Sequence, residues 1–87
     1  MKLSDAIRKR IKNLLKEKNM KLWHLYKRTG IPMSTLSAFM NAKRELLTLK
    51  TLLHICEGFE ISLSEFFQDP LFDDVEPVSY THLTLPT

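Results

Sequence analysis

The sequence predicts an all-α fold, a compact bundle of five short helices joined by short loops. Apolar residues recur at the three- and four-residue spacings of helices that bury one face. Only two of the 87 residues are glycine, and no segment has the alternation of β-branched residues that is typical of strands. Capping residues and helix terminators divide the chain into segments of helical length. A chain of this size forms a single small domain.

The first predicted helix begins with Ser4 as its N-cap and runs to about Lys18. Asp5 lies in the first turn, where the helix dipole favours an anion. The apolar residues at core spacing are Ile7, Ile11, Leu14 and Leu15. Basic residues cover the other faces. A basic amphipathic helix can also lie on a membrane surface, but this apolar face has the width of one that faces a protein core.

The second and third predicted helices are separated by a tight turn. The second spans Leu22–Thr29 and ends at Gly30, because glycine adopts the positive φ of a left-handed cap without strain. Pro32 stands where a helix start tolerates proline, and the third helix spans Met33–Met40. The residues predicted to point inward are Leu22, Leu25 and Tyr26 on the second helix and Leu36, Phe39 and Met40 on the third.

A loop over Ala42–Leu47 leads to the fourth predicted helix. Thr48 caps this helix, which spans Leu49–Glu57 and is ended by Gly58. The residues at core spacing are Leu49, Leu52, Leu53 and Cys56.

A capping box made by Ser62 and Glu65 predicts a fifth helix over Leu63–Phe67. The aromatic residues that this helix is predicted to pack are Phe66 and Phe67. The domain is therefore expected to span residues 1–68. Residues 69–77 are acidic, contain two prolines and are predicted to form an exposed tail. Residues 78–87 begin Val-Ser-Tyr-Thr-His-Leu, which resembles a translated sequencing adapter, so we expect them to be non-native.

The charge is divided unequally along the chain. The first fifty residues hold all 13 Lys and Arg and three acidic residues, a charge of +10, whereas the remainder holds seven acidic residues, a charge of −7. A small domain with its cations gathered in one half presents a field suited to a polyanion, and this favours nucleic acid as a partner. The alternative is a solvated basic helix followed by an acidic tail.

Several classes of function find no support in the sequence. One cysteine, Cys56, excludes an internal disulfide and suits a reducing cytoplasm. No apolar run approaches the ~18 residues that span a membrane. His54 and Cys56 are two residues apart on a predicted helix, hence on different faces, and no second ligand pair follows, so no metal site is expected. Cys56 and His54 are not expected to form a nucleophile pair, because no oxyanion-hole glycine loop or orienting acid accompanies them, so an enzyme and a cofactor are not expected either.

The segment 22–40 has the helix-turn-helix pattern, in which a tight turn lets the second helix project into a major groove. The residues that carry a wider similarity are Leu25, Gly30, Ile31 and Leu36, then Asn41-Ala42-Lys43, Thr48-Leu49-Lys50-Thr51-Leu52, Gly58 and Ile61-Ser62-Leu63. With this spacing, residues 4–67 resemble the phage-repressor/Cro type of helix-turn-helix domain, also called the XRE family. The resemblance implies a lambda-repressor-like five-helix bundle that binds operator DNA, usually as a homodimer, and regulates transcription.

The sequence departs from this family's pattern in three places. Tyr26 stands where a small residue is usual, so either its ring turns outward or the helix pair is splayed. Ala42 replaces a loop glycine, which predicts that the left-handed cap moves to Asn41. Leu15 and Met40 occupy the positions of a buried Arg–Glu pair in many relatives. Such a replacement by apolar residues is often neutral or stabilising, so it does not threaten the fold.

The resemblance assigns the base edges to the outward side of the third helix. The residues concerned are Met33, Ser34, Thr35, Ser37 and Ala38. This helix has no Arg, Lys, Asn or Gln, so the bidentate pairings to guanine or adenine are absent. We therefore expect modest direct readout, a bias toward A·T-containing half-sites and some selectivity from DNA shape. Alternatively, these hydroxyls are simply solvated at the surface or cap the first turn of the helix.

Phosphate contacts are expected from basic residues that flank this helix. The candidates are Lys43 and Arg44 in the following loop, Lys21 beside the second helix, and Lys27 and Arg28 within it. Five or six such contacts per half-site predict a steep salt dependence. Trp23 can lie against the sugar-phosphate backbone, although packing is the commoner role of an aromatic residue in a small domain.

The alternative from another class is an antitoxin or adaptor-type module that binds a protein partner through the fifth helix and the acidic tail. The apolar anchors available for it are Phe66, Phe67, Leu71 and Phe72, of which the first two can instead complete the core. A DNA shift without any partner protein separates the two hypotheses.

Overall fold

The computed structural model describes residues 2–41 and 47–75. The elements in these ranges are α1 (Leu3–Glu17), α2 (Leu22–Thr29), α3 (Met33–Met40), α4 (Leu49–Phe59), α5 (Leu63–Phe67) and a 3-10 helix (Pro70–Asp74). No strand occurs among the described residues, and the predicted all-α class is confirmed. The core is formed by Ile11, Leu14, Leu25, Ile31, Leu36, Phe39, Leu52, Ile55, Cys56, Phe59 and Phe66.

The start of α1 differs from the prediction. The helix begins at Leu3, with Lys2 as an N-cap that makes no side-chain capping bond. The carbonyl of Lys2 already accepts from the amide of Ala6 at 3.0 Å, so Ser4 is inside the helix and cannot cap it. The predicted inward face is nevertheless correct, because Ile11 and Leu14 are buried and Ile7 and Leu15 pack partly buried against the core.

The turn between α2 and α3 is built from backbone and threonine bonds. Gly30 adopts φ 74°, and its amide donates to the carbonyl of Tyr26 at 2.9 Å. The hydroxyl of Thr29 donates to the carbonyl of Leu25 at 2.6 Å and accepts from the amide of Ile31 at 3.2 Å. Ile31 is 8% exposed and pins the turn to the core. These contacts hold α3 in one position against α2.

Two predicted cap positions are wrong. Asn41 ends α3 with φ −91°, so it does not take the left-handed conformation. Gly58 does not end the fourth helix, which continues to Phe59 before Glu60 turns left-handed at φ 62°. Gly58 is buried where α4 crosses α2, and a Cβ there would lie 2.8 Å from Cγ2 of Thr29. This glycine therefore serves close helix packing rather than termination.

We expect Gly58→Ala to lower the free energy of unfolding by about 1 kcal/mol, because overpacking outweighs the gain in helix propensity. Thr29→Ser removes the methyl group that would clash but keeps the hydroxyl that bonds the turn. In that background, Gly58→Ala should become neutral or stabilising. Urea denaturation of the four proteins measures this coupling, and additive effects would contradict the packing explanation.

Several predicted inward residues are exposed instead. Tyr26 is 44% exposed, so its ring turns outward and leaves the contact between α2 and α3 unobstructed. Leu49 and Leu53 are 75% and 42% exposed, because α4 turns the face of Leu52, Ile55, Cys56 and Phe59 inward. Phe67 is 38% exposed, since a five-residue helix can bury only one of two adjacent rings, and that ring belongs to Phe66.

Residues 69–75 do not form the exposed tail that their charge predicts. Asp69 caps the 3-10 helix Pro70–Asp74, which contacts α1. Phe72 packs partly buried on the core, with its ring centroid 4.9 Å from that of Phe67. Aromatic burial therefore overrides the acidic character of the segment. The rest of the predicted tail, residues 76–77, and the adapter-like residues 78–87 lie outside the described residues.

Three arginines of the described residues, Arg8, Arg10 and Arg28, donate to carbonyls near helix C-termini. Arg8 donates to Phe39 near the end of α3 at 2.6 Å, and Arg28 donates to Gly58 near the end of α4 at 3.1 Å. Arg10 donates to the carbonyls of Phe66 and Glu65 in α5 at 2.8 and 2.9 Å and to the carboxylate of Asp69 at 3.2 Å. A cation suits these positions because carbonyls there lack helical partners and carry the negative end of the dipole.

Candidate nucleic-acid interface

The third helix turns one face into the core and the other away from it. Leu36 and Phe39 are buried, and they hold the helix against the bundle. The predicted base-contacting residues lie on the remaining faces: Met33 and Ser34 are exposed, and Thr35, Ser37 and Ala38 are half-buried. Ser34, Ser37 and Ala38 share one side, because residues three and four apart are neighbours on a helix.

The hydroxyl groups of α3 contribute no contact that stabilises residues 2–41 and 47–75. Pro32 is the N-cap and makes no side-chain capping bond. Within the described ranges, no hydrogen bond is formed by the side chains of Ser34, Thr35 or Ser37. Capping of the first turn, the alternative role for these hydroxyls, is therefore absent among the described residues. They remain available to an external ligand.

Lys21 stands at the N-terminus of α2 with an exposed side chain. Its amide donates to Nδ1 of His24 at 2.8 Å, so the imidazole performs the backbone capping that a Glu or Gln usually provides. Lys21 consequently needs no bond from its own side chain to start the helix. As the N-cap, Lys21 stands at the positive end of the α2 dipole, which is an environment suited to an anion.

Trp23, Lys27 and His24 form a stacked group on α2. The indole of Trp23 lies on the His24 ring with centroids 4.3 Å apart, and Nζ of Lys27 is 5.3 Å from the centroid of the indole. Trp23 is 45% exposed, so the packing role expected for it is wrong. The cation–π contact holds the Lys27 ammonium near one position at the surface.

The other predicted phosphate contacts, Arg28, Lys43 and Arg44, differ from Lys21 and Lys27. Arg28 is exposed, but its guanidinium is engaged with the carbonyl of Gly58. Lys43 and Arg44 lie outside the described residues. The structure thus brings the predicted base-contacting residues together on α3, and it places Lys21 at the N-terminus of the adjacent helix α2 and Lys27 and Arg28 within that helix.

Comparison with known families decides the class of the domain. The model of the Cro/C1-type HTH DNA-binding domain matches residues 10–70, which is more than two thirds of the chain. The chain belongs to this family. Searches of the curated proteins and of the solved structures returned no match.

Membership in the Cro/C1-type family confirms the resemblance to phage repressors and gives DNA as the ligand class. This domain accommodates its departures from the family pattern. Leu15 and Met40 pack partly buried against the core, so the fold holds apolar residues at both positions. The exposed ring of Tyr26 lies on the surface of α2. Both changes leave the outward face of α3 intact.

An open cleft of about 480 Å³ lies between α1 and the C-terminal end of α3. Its lining residues are Asp5, Arg8, Lys9, Lys12, Asn13, Met40 and Asn41. Arg8 is paired with Asp5 at 2.8 Å and with the carbonyl of Phe39. The cleft adjoins the end of α3 opposite to Met33 and Ser34, so it is separate from the candidate interface.

Three further features of the described residues concern metal binding, thiol reactivity and membrane spanning. Among residues 2–41 and 47–75, no group of three His, Cys, Asp or Glu side chains is placed to hold a metal ion. Burial raises the pKa of the Cys56 thiol to about 11, against which nearby Arg10 acts only partly. Such a thiol stays protonated at neutral pH and is a poor nucleophile. In the same ranges, no helix has both the length and the apolar character to cross a membrane.

Proposed function

We propose that the protein is a transcriptional regulator that binds operator DNA sequence-specifically, as a homodimer, with the outward face of α3 in the major groove. The observation that supports this proposal is the exposed outward face of α3. Met33 and Ser34 are exposed in its first turn, and the serine hydroxyls make no bond within the described fold. We assign the protein no catalytic role and a cytoplasmic location.

The residue types on α3 determine what such a helix can distinguish. Met33 and Ala38 offer apolar contacts to thymine methyl groups, and the hydroxyls of Ser34 and Ser37 can bond to several bases. No side chain on the helix can form a bidentate pair with guanine or adenine. We therefore propose that the protein prefers A·T-containing half-sites and takes part of its selectivity from DNA shape.

The cations of α2 would position the helix on the duplex. Lys21 at the start of α2 and Lys27 over the indole of Trp23 are proposed to bind phosphates. Trp23 is proposed to lie against the backbone beside them, since nearly half of its surface is exposed. Lys43 and Arg44 are also proposed to bind phosphates. Arg28 would contribute less, because it already binds the carbonyl of Gly58.

Selection of duplexes from a random pool, followed by mobility shifts, tests the proposal. Ser34→Ala combined with Ser37→Ala should change the preferred half-site while reducing affinity for nonspecific duplexes by less than about threefold, because the hydroxyls contact bases rather than phosphates. Ser64→Ala, an exposed serine on α5, is the matched control and should leave the preference unchanged. An unaltered half-site in the double variant would remove α3 from the role proposed for it.

The antitoxin or adaptor alternative has less support. Of its four apolar anchors, Phe66 is fully buried and Phe72 packs on the core, which leaves Phe67 as the most exposed. A mobility shift by the purified protein alone favours the regulator. A shift that required a second protein would favour the adaptor.

A further inference from the structure

The outer face of α4 carries two leucines that the bundle does not bury. Leu49 is 75% exposed and Leu53 is 42% exposed. They are four residues apart, so they lie side by side on the helix surface. The core positions of α4 are already filled by Leu52, Ile55, Cys56 and Phe59. The exposed stripe of α4 consists of these two leucines together with Lys50 and Glu57.

Both charges of this stripe interact unfavourably with the dipole of α4. Lys50 lies in the first turn of α4, where the dipole favours an anion, and Glu57 lies in the last turn, where it favours a cation. Among the described residues, Lys50 has no ion pair, and the carboxylate of Glu57 pairs with half-buried His54 alone, at 3.1 Å. The stability of a single subunit does not explain this order of charges.

An antiparallel second helix of the same sequence does explain it. Lys50 and Glu57 are equidistant from the middle of the stripe, next to Leu53, and about 10 Å apart along the axis. A two-fold axis at this point places Lys50 opposite Glu57 of the partner subunit, and the same pair forms again on the other side. Leu53 then lies between the two ion pairs, Leu49 lies just outside them beside Lys50, and the two helix dipoles run in opposite directions.

We infer that the exposed stripe of α4 is a docking surface for a second copy of this chain, packed antiparallel about Leu53. The charge pattern identifies the occupant, because one stripe that carries both signs is complementary to itself under two-fold symmetry. Two leucines per subunit make a contact well below the ~800 Å² per partner of a stable interface, so the dimer is weak and reversible. The inference gives a surface to the homodimer of the proposed function, but its test requires no DNA.

Complementary charge variants provide the test. Lys50→Glu puts two acidic residues in each stripe, and Glu57→Lys puts two basic residues there. Each variant alone should sediment as a monomer at concentrations up to about 1 mM, where the natural protein forms dimers, because like charges face each other across the axis. An equimolar mixture should form the heterodimer, and the double variant K50E/E57K should dimerise again.

Two controls show whether a variant still folds and whether its effect is specific to the α4 surface. Circular dichroism should show equal helicity in all variants, because both residues are exposed. Leu53→Asp should abolish dimers, whereas Leu3→Asp, a similarly exposed leucine on α1, should not. A natural protein that stays monomeric throughout this range, a dimer that survives Leu53→Asp, or a charge mixture that does not associate would overturn the inference. These outcomes leave DNA binding by the monomer a separate question.

Discussion

Operator binding should weaken by roughly 500-fold per half-site when salt rises from about 50 to about 200 mM, if five phosphates are neutralised, because each contact contributes about −0.9 to the logarithmic slope. Lys21→Ala and Lys27→Ala should each make that slope shallower by about 0.9 per half-site. Both should weaken binding to all duplexes alike, since phosphates carry no sequence information. Filter binding or fluorescence anisotropy over a salt series measures the slope.

Lys9→Ala is the matched control for these two variants. Lys9 is equally exposed but lies on α1, at the cleft beside the far end of α3. It should change the slope far less than either α2 variant. The fluorescence emission of Trp23, the only tryptophan in the chain, should change when the duplex binds, because its indole lies under Lys27. Equal slopes in all three variants would contradict the placement of the duplex on α2.

Arg10→Met should lower the free energy of unfolding by about 3 kcal/mol, which is a large part of the stability of a domain this small. The side chain of Arg10 is only 12% exposed and joins α1 to the carbonyls of Phe66 and Glu65 and to the carboxylate of Asp69. Methionine keeps the apolar stem but leaves these acceptors without their donor. Urea denaturation measures the loss.

Lys12→Met, an exposed change on the same helix, should stay within about 0.5 kcal/mol of the natural protein. Asp69→Asn should cost less than Arg10→Met, because it weakens one of three contacts. If Arg10→Met were as mild as Lys12→Met, the attachment of the C-terminal segment would depend on Phe72 and its aromatic neighbours instead.

Local signals predicted the helix-turn-helix segment and the fifth helix to the residue. Gly30 ends α2 because glycine adopts positive φ without strain, and the capping box of Ser62 and Glu65 forms within four residues. The same holds for Thr48, whose hydroxyl accepts from the amide of Thr51 at 3.1 Å. Each of these features depends on neighbours in sequence, so it can be inferred before the fold is known.

Features that depend on distant neighbours could not be inferred in this way. Gly58 resembles a helix terminator until α2 is placed across it. Arg8 and Arg10 resemble surface cations, but their acceptors are 31 or more residues away in sequence. The exposure of Trp23 and Leu53 was missed for the same reason, since apolar character alone does not tell which face of a short helix meets the core. On α3, by contrast, Leu36 and Phe39 fixed the inward face correctly.

Site-directed photo-crosslinking tests most directly whether α3 enters the groove. Met33→Cys places a reactive thiol in the exposed first turn, while the native Cys56 is buried and its raised pKa keeps it unreactive. Lys9→Cys on α1 is the control. With a photoreactive group on the introduced thiol and a selected duplex, position 33 should crosslink to bases and position 9 should not. Crosslinking to bases from position 9 with none from position 33 would contradict the placement of α3 in the major groove.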